Sequence, residues 1–223
     1  FTTTQAGEQA MAVSSIHGFK TAPGRLADHL ANTAEGLEHL HRMGLQAVML
    51  QPMAGADVGT LSTVVTYESM AAYATAVQTV TADEAWQEFW ARAAGGGSAE
   101  QVEVSLFNDL DPTWQPSPDR PLGVIMAIQW RAKPGRAADF IGQVMTAVPH
   151  IERMGGTVRI MQSIIGPHPM TTMVATTFAD LDAFGAYSDT ANSDDQWQTF
   201  WAGAMTDPTA DVVRSGLYLN VGS

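Results

Sequence analysis

The sequence contains no cysteine and almost no lysine. Without cysteine, the chain cannot form disulfides, thiolate nucleophiles or cysteine-ligated metal sites. Lys20 and Lys133 are the only lysines, and the net charge is −12. Since no basic cluster occurs anywhere, we expect neither nucleic acid nor an anionic membrane surface as a partner.

Long apolar runs are also missing. None approaches the roughly 18 residues of a membrane span, and Phe1 to Thr4 lack the basic and apolar pattern of a signal peptide. We therefore expect a cytoplasmic protein. The chain begins with Phe1 and not with Met, which is compatible with a leader removed upstream of Phe1.

Several motifs of common enzyme classes are absent. The sequence has no phosphate-binding loop, no nucleophile elbow and no paired-carboxylate glycosidase site. Its histidines lack the i, i+4 spacing of a helical metal-binding pair. The sequence therefore predicts no metal site and no cofactor.

What the chain does contain is an internal repeat. The motif Trp-Gln-x-Phe-Trp at Trp86 to Trp90 recurs at Trp197 to Trp201, 111 positions later. Pro-Gly-Arg and Arg-Met-Gly recur with the same offset. The predicted organisation is an arm, a first repeat, a proline-rich linker and a second repeat, at residues 1–10, 11–108, 109–121 and 122–223.

Each repeat reads as β-α-β-β-α-β, the ferredoxin-like order. Ser69 and Asp180 are predicted N-caps, and Thr81 to Glu84 resembles a capping box before the Trp-Gln-x-Phe-Trp helix. The strands lack clean alternation, so both sheet faces should be covered. We predict an α+β fold in which two tandem ferredoxin-like repeats pack their antiparallel sheets into one pseudo-twofold barrel, with a pocket between the sheets.

These motifs together resemble a known family. Pro-Gly-Arg before the first helix, Arg-Met-Gly after it, and Asp-x-x-Trp-Gln-x-Phe near the end of each repeat are similar to the NIPSNAP-like branch of the dimeric α+β barrel superfamily. The resemblance implies a barrel that most members build from two chains. It also implies one of several activities: cofactor-free oxygenation, isomerisation or cyclisation, haem enzymes such as chlorite dismutase, or no known activity.

The aromatic motif has a structural interpretation. Trp86, Phe89, Trp90 and Ala93 lie at helical spacing on one face, which is typical of core packing. Because repeats share a scaffold, a site unique to one repeat must use residues that differ. His17 stands where the second repeat has Ile128. If its strand face lines the barrel, His17 is a candidate general base or hydrogen-bond donor, and otherwise it packs under a helix.

The other candidates are substrate-binding residues. Arg159 replaces Val48 and needs either a carboxylate partner or a ligand anion if it is partly buried. Phe19 and Trp130 are equivalent aromatic residues that could shape the pocket. Gln51, Gln162 and His168 complete the set. The two glutamines could donate hydrogen bonds to a substrate carbonyl or satisfy backbone groups at a strand end. His168 lies on a loop that is either a lid or a plain turn.

The leading functional prediction is a small-molecule binding protein or cofactor-independent enzyme, with a cavity between the sheets. Its ligand would be an apolar or aromatic, oxygenated compound. One alternative is a non-catalytic structural or assembly protein whose barrel is filled by methionine and aromatic side chains. A second is a haem-binding protein. Formation of a homo-oligomer remains compatible with the sequence.

Overall fold

A computed structural model describes residues 10–55, 57–117 and 122–222. The predicted arm, apart from Ala10, and the end of the predicted linker lie outside these residues. Eight strands and six helices form the described part, with these bounds: β1 Val13–Thr21, α1 Leu26–Arg42, β2 Gln46–Gly55, β3 Thr60–Tyr67, α2 Met70–Ala82, α3 Glu84–Gly96, β4 Ala99–Asp109, β5 Val124–Ala132, α4 Ala137–Arg153, β6 Thr157–Ile165, β7 Thr172–Phe178, α5 Leu181–Ser193, α6 Asp195–Thr206 and β8 Ala210–Gly222.

The eight strands close into an antiparallel barrel in the order β1-β3-β2-β8-β5-β7-β6-β4. We call Val13–Asp109 the first half and Val124–Gly222 the second half. Two seams join them: β2 pairs with β8, and β4 pairs with β6. Corresponding strands stand four places apart in the ring, so the pseudo-twofold axis runs along the barrel. The predicted α+β barrel is confirmed.

Strand alternation gives each strand an inner and an outer face. On β1, Ser14 and Ile16 line the barrel lumen, whereas His17 and Phe19 face the helices outside. Buried side chains on both faces form the core: Leu50, Phe107 and Tyr218 belong to a cluster that lines the lumen. Other clusters lie under the helices.

The helix ends follow from local sequence. Gly44 and Gly155 adopt φ of 78° and 100° directly after α1 and α4, a conformation that favours glycine. Ser69 and Asp180 cap α2 and α5 as predicted, accepting hydrogen bonds from the N–H groups of Ala72 and Ala183.

The predicted capping box is wrong. Thr81 belongs to α2, and the N-cap of α3 is Asp83, whose carboxylate accepts from the N–H of Trp86. Asp194 does the same for α6. The extended backbone of Asp83 separates α2 from α3, so each half is β-α-β-β-α-α-β rather than β-α-β-β-α-β.

The same two caps hold the helices together. Arg42, at the end of α1, binds Asp83 at 2.7 Å, and Arg153, at the end of α4, binds Asp194 at 2.7 Å. Each ion pair therefore fixes the last helix of a half against its first helix. In the described part of the chain, no helix has the length and apolar character needed to cross a membrane.

Candidate functional site

Two large cavities lie on opposite sides of the sheet. The lumen cavity, of about 600 Å³, is enclosed by inward-facing side chains of both halves. The helix-side cleft, of about 760 Å³, lies in the first half between the outer sheet face and helices α1 to α3. Both volumes are in the range of small-molecule sites.

His17 lines the helix-side cleft and not the lumen cavity. Its Nδ1 accepts a hydrogen bond from Nε2 of Gln101 at 3.3 Å, which places the proton of the neutral ring on Nε2. Burial lowers the pKa of His17, because desolvation disfavours the charged ring. His17 is therefore a neutral imidazole at neutral pH.

A second imidazole, His29 of α1, lines the same cleft and is only 4% exposed. Its Nδ1 lies 2.9 Å from Oγ1 of Thr21. Burial lowers the pKa of His29 as well. The cleft thus holds two neutral imidazoles that come from different elements, β1 and α1.

Aromatic rings form the wall opposite the sheet. Trp86 and Trp90 are stacked 5.9 Å apart, and Phe19 meets Trp90 edge-on at 5.9 Å. Phe89 is buried, but Trp90 remains 41% exposed. The Trp-Gln-x-Phe-Trp motif therefore packs as a structural element and also contributes a partly exposed ring to the cleft.

The equivalent space in the second half is nearly filled. Only about 130 Å³ remain there, between α4, α6 and the outer face of the sheet. Ile128 replaces His17 and Phe140 replaces His29. Trp130, a predicted substrate-binding residue, packs here against Phe140 at 5.9 Å between ring centroids. The two halves therefore share a scaffold, but the open and partly polar cleft belongs to the first.

Arg159 lies in the lumen, at one end of the barrel. Its guanidinium binds the buried carboxylate of Asp109 through two contacts of 2.9 and 2.6 Å, and also donates to Ser14 at 2.9 Å. The centroid of the Trp114 ring lies 3.5 Å from the guanidinium carbon of Arg159. Of the two predicted explanations for a partly buried Arg159, the carboxylate partner is present.

A second ion pair crosses the opposite end of the lumen. Glu103 of β4 and Arg214 of β8 stand on opposed strands, yet their side chains meet at 2.5 Å. Asp57 lies 3.6 Å from Arg214 and accepts a hydrogen bond from Tyr218. Burial and this hydrogen bond raise the pKa of Tyr218. We call this group the crossbar.

The crossbar also shifts the pKa of Glu103. Burial alone would raise it, but hydrogen bonds from Arg214 and Ser105 lower it below its ordinary value, and the charges of Arg214 and His168 add to this. The sequence carried a signal for this pair, since Glu103 and Arg214 are separated by the repeat offset of 111. Without the strand order, that offset did not indicate a contact.

The remaining predicted residues line neither cavity. Gln51 and Gln162 lie on β2 and β6 and pair in the seams with Leu219 and Asn108. His168 lies in the turn between β6 and β7, where its carbonyl accepts from Oγ1 of Thr171 at 2.6 Å. Within the described ranges, no group of three or more metal-ligating side chains is assembled.

No protein-family profile and no curated protein matches the chain. Solved structures do match over nearly the whole length. A protein of Fusobacterium nucleatum provisionally described as a monooxygenase is 13% identical with a TM-score of 0.63, covering 96% of each chain. An anthrone oxidase-like protein is 11% identical with a TM-score of 0.61, covering 94% of this chain and 91% of its own.

A third structure, provisionally described as that of a chlorite dismutase, is 9% identical with a TM-score of 0.58 and covers 95% of each chain. At such identities the likeness concerns the fold. It shows that the chain shares the overall fold of these proteins.

Proposed function

We propose that the protein binds a flat, largely apolar molecule carrying a carbonyl or phenol oxygen in the helix-side cleft, and promotes its proton transfer or oxygenation without a cofactor. The observation that carries this proposal is the difference between the halves: the cleft is open and holds His17 and His29 in the first half, whereas the equivalent space is filled in the second. Packing alone does not require a buried imidazole, His29, and a half-buried one, His17, beside a large cavity.

His17 is the residue we assign to the reacting oxygen. With Gln101 bonded to Nδ1, its Nε2–H is available to donate to a carbonyl oxygen and to stabilise negative charge that develops there. No other described residue forms a hydrogen bond with Nε2. His29, with Nδ1 bonded to Thr21, is the assigned acceptor of the substrate proton, because its lowered pKa keeps it neutral.

The structural neighbours support the ligand class. One is described as anthrone oxidase-like and another provisionally as a monooxygenase. Anthrone is a planar ketone that suits a cleft walled by Phe19, Trp86 and Trp90. Its oxidation consumes one O₂ per anthrone: one oxygen atom becomes the second carbonyl of anthraquinone, and the other leaves as water with the two hydrogens of the reacting carbon.

Haem does not fit the cleft. His29 could supply a ligand nitrogen, but the described residues that line the cleft include no arginine or lysine to bind two propionates. Haem therefore has no part in the proposed reaction. A Soret band in the purified protein would contradict this conclusion.

The test uses anthrone as substrate, with oxygen uptake and anthraquinone absorbance as the two readouts. We expect the unmodified protein to accelerate oxidation. His17→Leu should lower turnover by about 100-fold or more, as expected for loss of an acid–base group, while anthrone still quenches the fluorescence of the cleft tryptophans. His17→Gln, which keeps a donor, should retain part of the activity.

Ile128→Leu, at the equivalent position of the second half, is the matched control and should leave turnover unchanged. Absence of anthrone binding by the unmodified protein, or an equal loss in both leucine variants, would overturn the proposal. If anthrone binds but no anthraquinone forms, the proposed oxidation is wrong and only the proposed binding of the ligand stands.

We also infer that the chain arose by tandem duplication of a ferredoxin-like unit of the NIPSNAP-like type. Supporting this, the bounds of β1, α1 and α2 coincide with those of β5, α4 and α5 after a shift of 111 residues. The same shift maps residue 11 onto residue 122, which supports the start of the second repeat in the proposed division into residues 11–108, 109–121 and 122–223.

A further inference from the structure

The lumen cavity is separate from the helix-side cleft. The sheet lies between the two spaces, and among the described residues their linings share only Leu45. The interior of an eight-stranded barrel is just wide enough to be filled by side chains or to hold one small ligand. Here side chains leave about 600 Å³ open, so the barrel is not fully packed.

The open space arises from small residues in the second half. Ala127 and Ala175 are register partners on β5 and β7, and both line the lumen cavity. The equivalent positions of the first half hold Ile16 and Val64, which also face the lumen. Met161, Met173 and Leu50 complete an apolar wall. The middle of the lumen therefore suits an apolar body.

The two ends of the lumen differ. The crossbar spans one end, where Glu103 and Arg214 meet between opposed strands. The other end carries uncharged polar side chains on the cavity wall, among them Gln46, Thr157 and Asn220, beside the Arg159–Asp109 pair. A ligand in the lumen therefore meets uncharged polar side chains at one end and the ion pair of the crossbar at the other.

The charges of the lumen argue against an anionic ligand. Among the described residues that line the lumen, the two guanidinium groups, Arg159 and Arg214, are already paired with carboxylates. Asp57 adds a third carboxylate beside the crossbar, which makes these five groups net negative. A carboxylate or phosphate that contacts these described residues would lose its hydration without gaining an unpaired arginine.

We propose that the barrel lumen is a second binding site, which takes a neutral, slender amphiphile such as a long-chain alcohol. The chain lies against Ala127 and Ala175, and the hydroxyl lies near the uncharged polar side chains of Gln46 and Asn220. This site is independent of the chemistry proposed for His17.

The experiment uses N-phenyl-1-naphthylamine, a neutral fluorescent probe, with the unmodified full chain. We expect the probe to gain fluorescence on binding and 1-tetradecanol to displace it. Tetradecanoate at alkaline pH should compete about tenfold more weakly or worse, because its charge must be desolvated. Native mass spectrometry should show one tetradecanol per chain.

The decisive variant is Ala127→Ile/Ala175→Val, which places in the second half the residues that the first half already carries. Since one methylene in an apolar pocket changes affinity by about 10- to 200-fold, we expect affinity for the probe to fall by at least about tenfold. Anthrone binding in the cleft should not change. If circular dichroism shows that the double variant does not fold, Ala175→Val alone replaces it, with a smaller expected decrease in affinity for the probe.

Three results would overturn the proposal: no probe binding by the unmodified protein, unchanged probe affinity in a folded filled-lumen variant, or equal competition by tetradecanol and tetradecanoate. Loss of probe binding in His17→Leu would also contradict it, since that side chain lies outside the lumen.

Discussion

At the scale of single residues, the lumen is defined by charges that are satisfied within the protein. Arg159 is bound by Asp109, which is only 1% exposed as a side chain, and by Ser14. The positions equivalent to Arg159 and Asp109 in the other half hold Val48 and Asn220. Equivalent places in the two halves of the barrel thus hold a charged pair in one half and an uncharged pair in the other.

This equivalence gives a matched test of the ion pair. Arg159→Val should reduce the free energy of unfolding by about 3–5 kcal/mol, because it leaves a buried carboxylate without its partner. Arg159→Val/Asp109→Asn, which reproduces the pair Val48 and Asn220, should recover most of that loss. Urea unfolding of both variants measures the difference, and a double variant less stable than the single one would show that the ion pair is not the cause.

At the scale of elements, the last helix of each half is held by a charged N-cap. Asp194 accepts from the N–H of Trp197 and binds Arg153 at the end of α4. The hydrogen bonds from Arg153 and then from the Trp197 N–H lower the pKa of Asp194 from 3.8 to about 2. Since the folded protein lowers this pKa, the stabilisation is present above the unfolded value and is lost as pH falls through the folded value.

Asp194→Asn should therefore flatten the pH dependence of stability between about pH 4 and about pH 2. Asparagine still caps the helix, so the change isolates the ion pair. Denaturant unfolding across this pH range measures it, with Asp189→Asn, an exposed residue of α5, as control. An unchanged pH profile in Asp194→Asn would show that the Arg153 contact contributes nothing in solution.

The strands, the first helix of each half and the barrel could be predicted from the sequence, because helix spacing and the repeat are local signals, whereas the N-cap at Asp83 that separates α2 from α3 was placed wrongly. The inner face of β1 could not. One side of β1 carries Ser14, Ile16 and Gly18, and the other side carries Ser15, His17 and Phe19. Both sides mix polar and apolar residues, so the alternation pattern does not show which side lines the lumen. His17 faces the helices, and its difference from Ile128 lies in the half that holds the larger cleft.

Local sequence signals could not predict the contacts of Arg159 either. Its partner Asp109 lies 50 residues away and reaches it across the β4–β6 seam. Only the strand order of the closed barrel shows that β4 of one half pairs with β6 of the other.

At the scale of the whole molecule, the seams make the halves interdependent. Neither half closes its own barrel, since β2 needs β8 and β6 needs β4. We expect a single cooperative unfolding transition. A core substitution in one half should therefore destabilise both.

Leu61→Ala, at a residue only 2% exposed in the first half, should lower the free energy of unfolding by about 2–5 kcal/mol. Circular dichroism and tryptophan fluorescence should report the same midpoint. Hydrogen exchange should accelerate in β7 as well as in β3, whereas continued protection of β7 alone would show that the halves unfold separately.

The crossbar has a consequence for how such barrels can diversify. In a barrel assembled from two identical chains, a side chain that reaches the twofold axis meets its own copy, so a glutamate there would oppose a glutamate. In this chain the two positions are encoded separately, and one holds Glu103 while the other holds Arg214. Because one chain encodes both positions separately, opposite charges can meet at the axis, where two identical chains would bring together two side chains of the same kind.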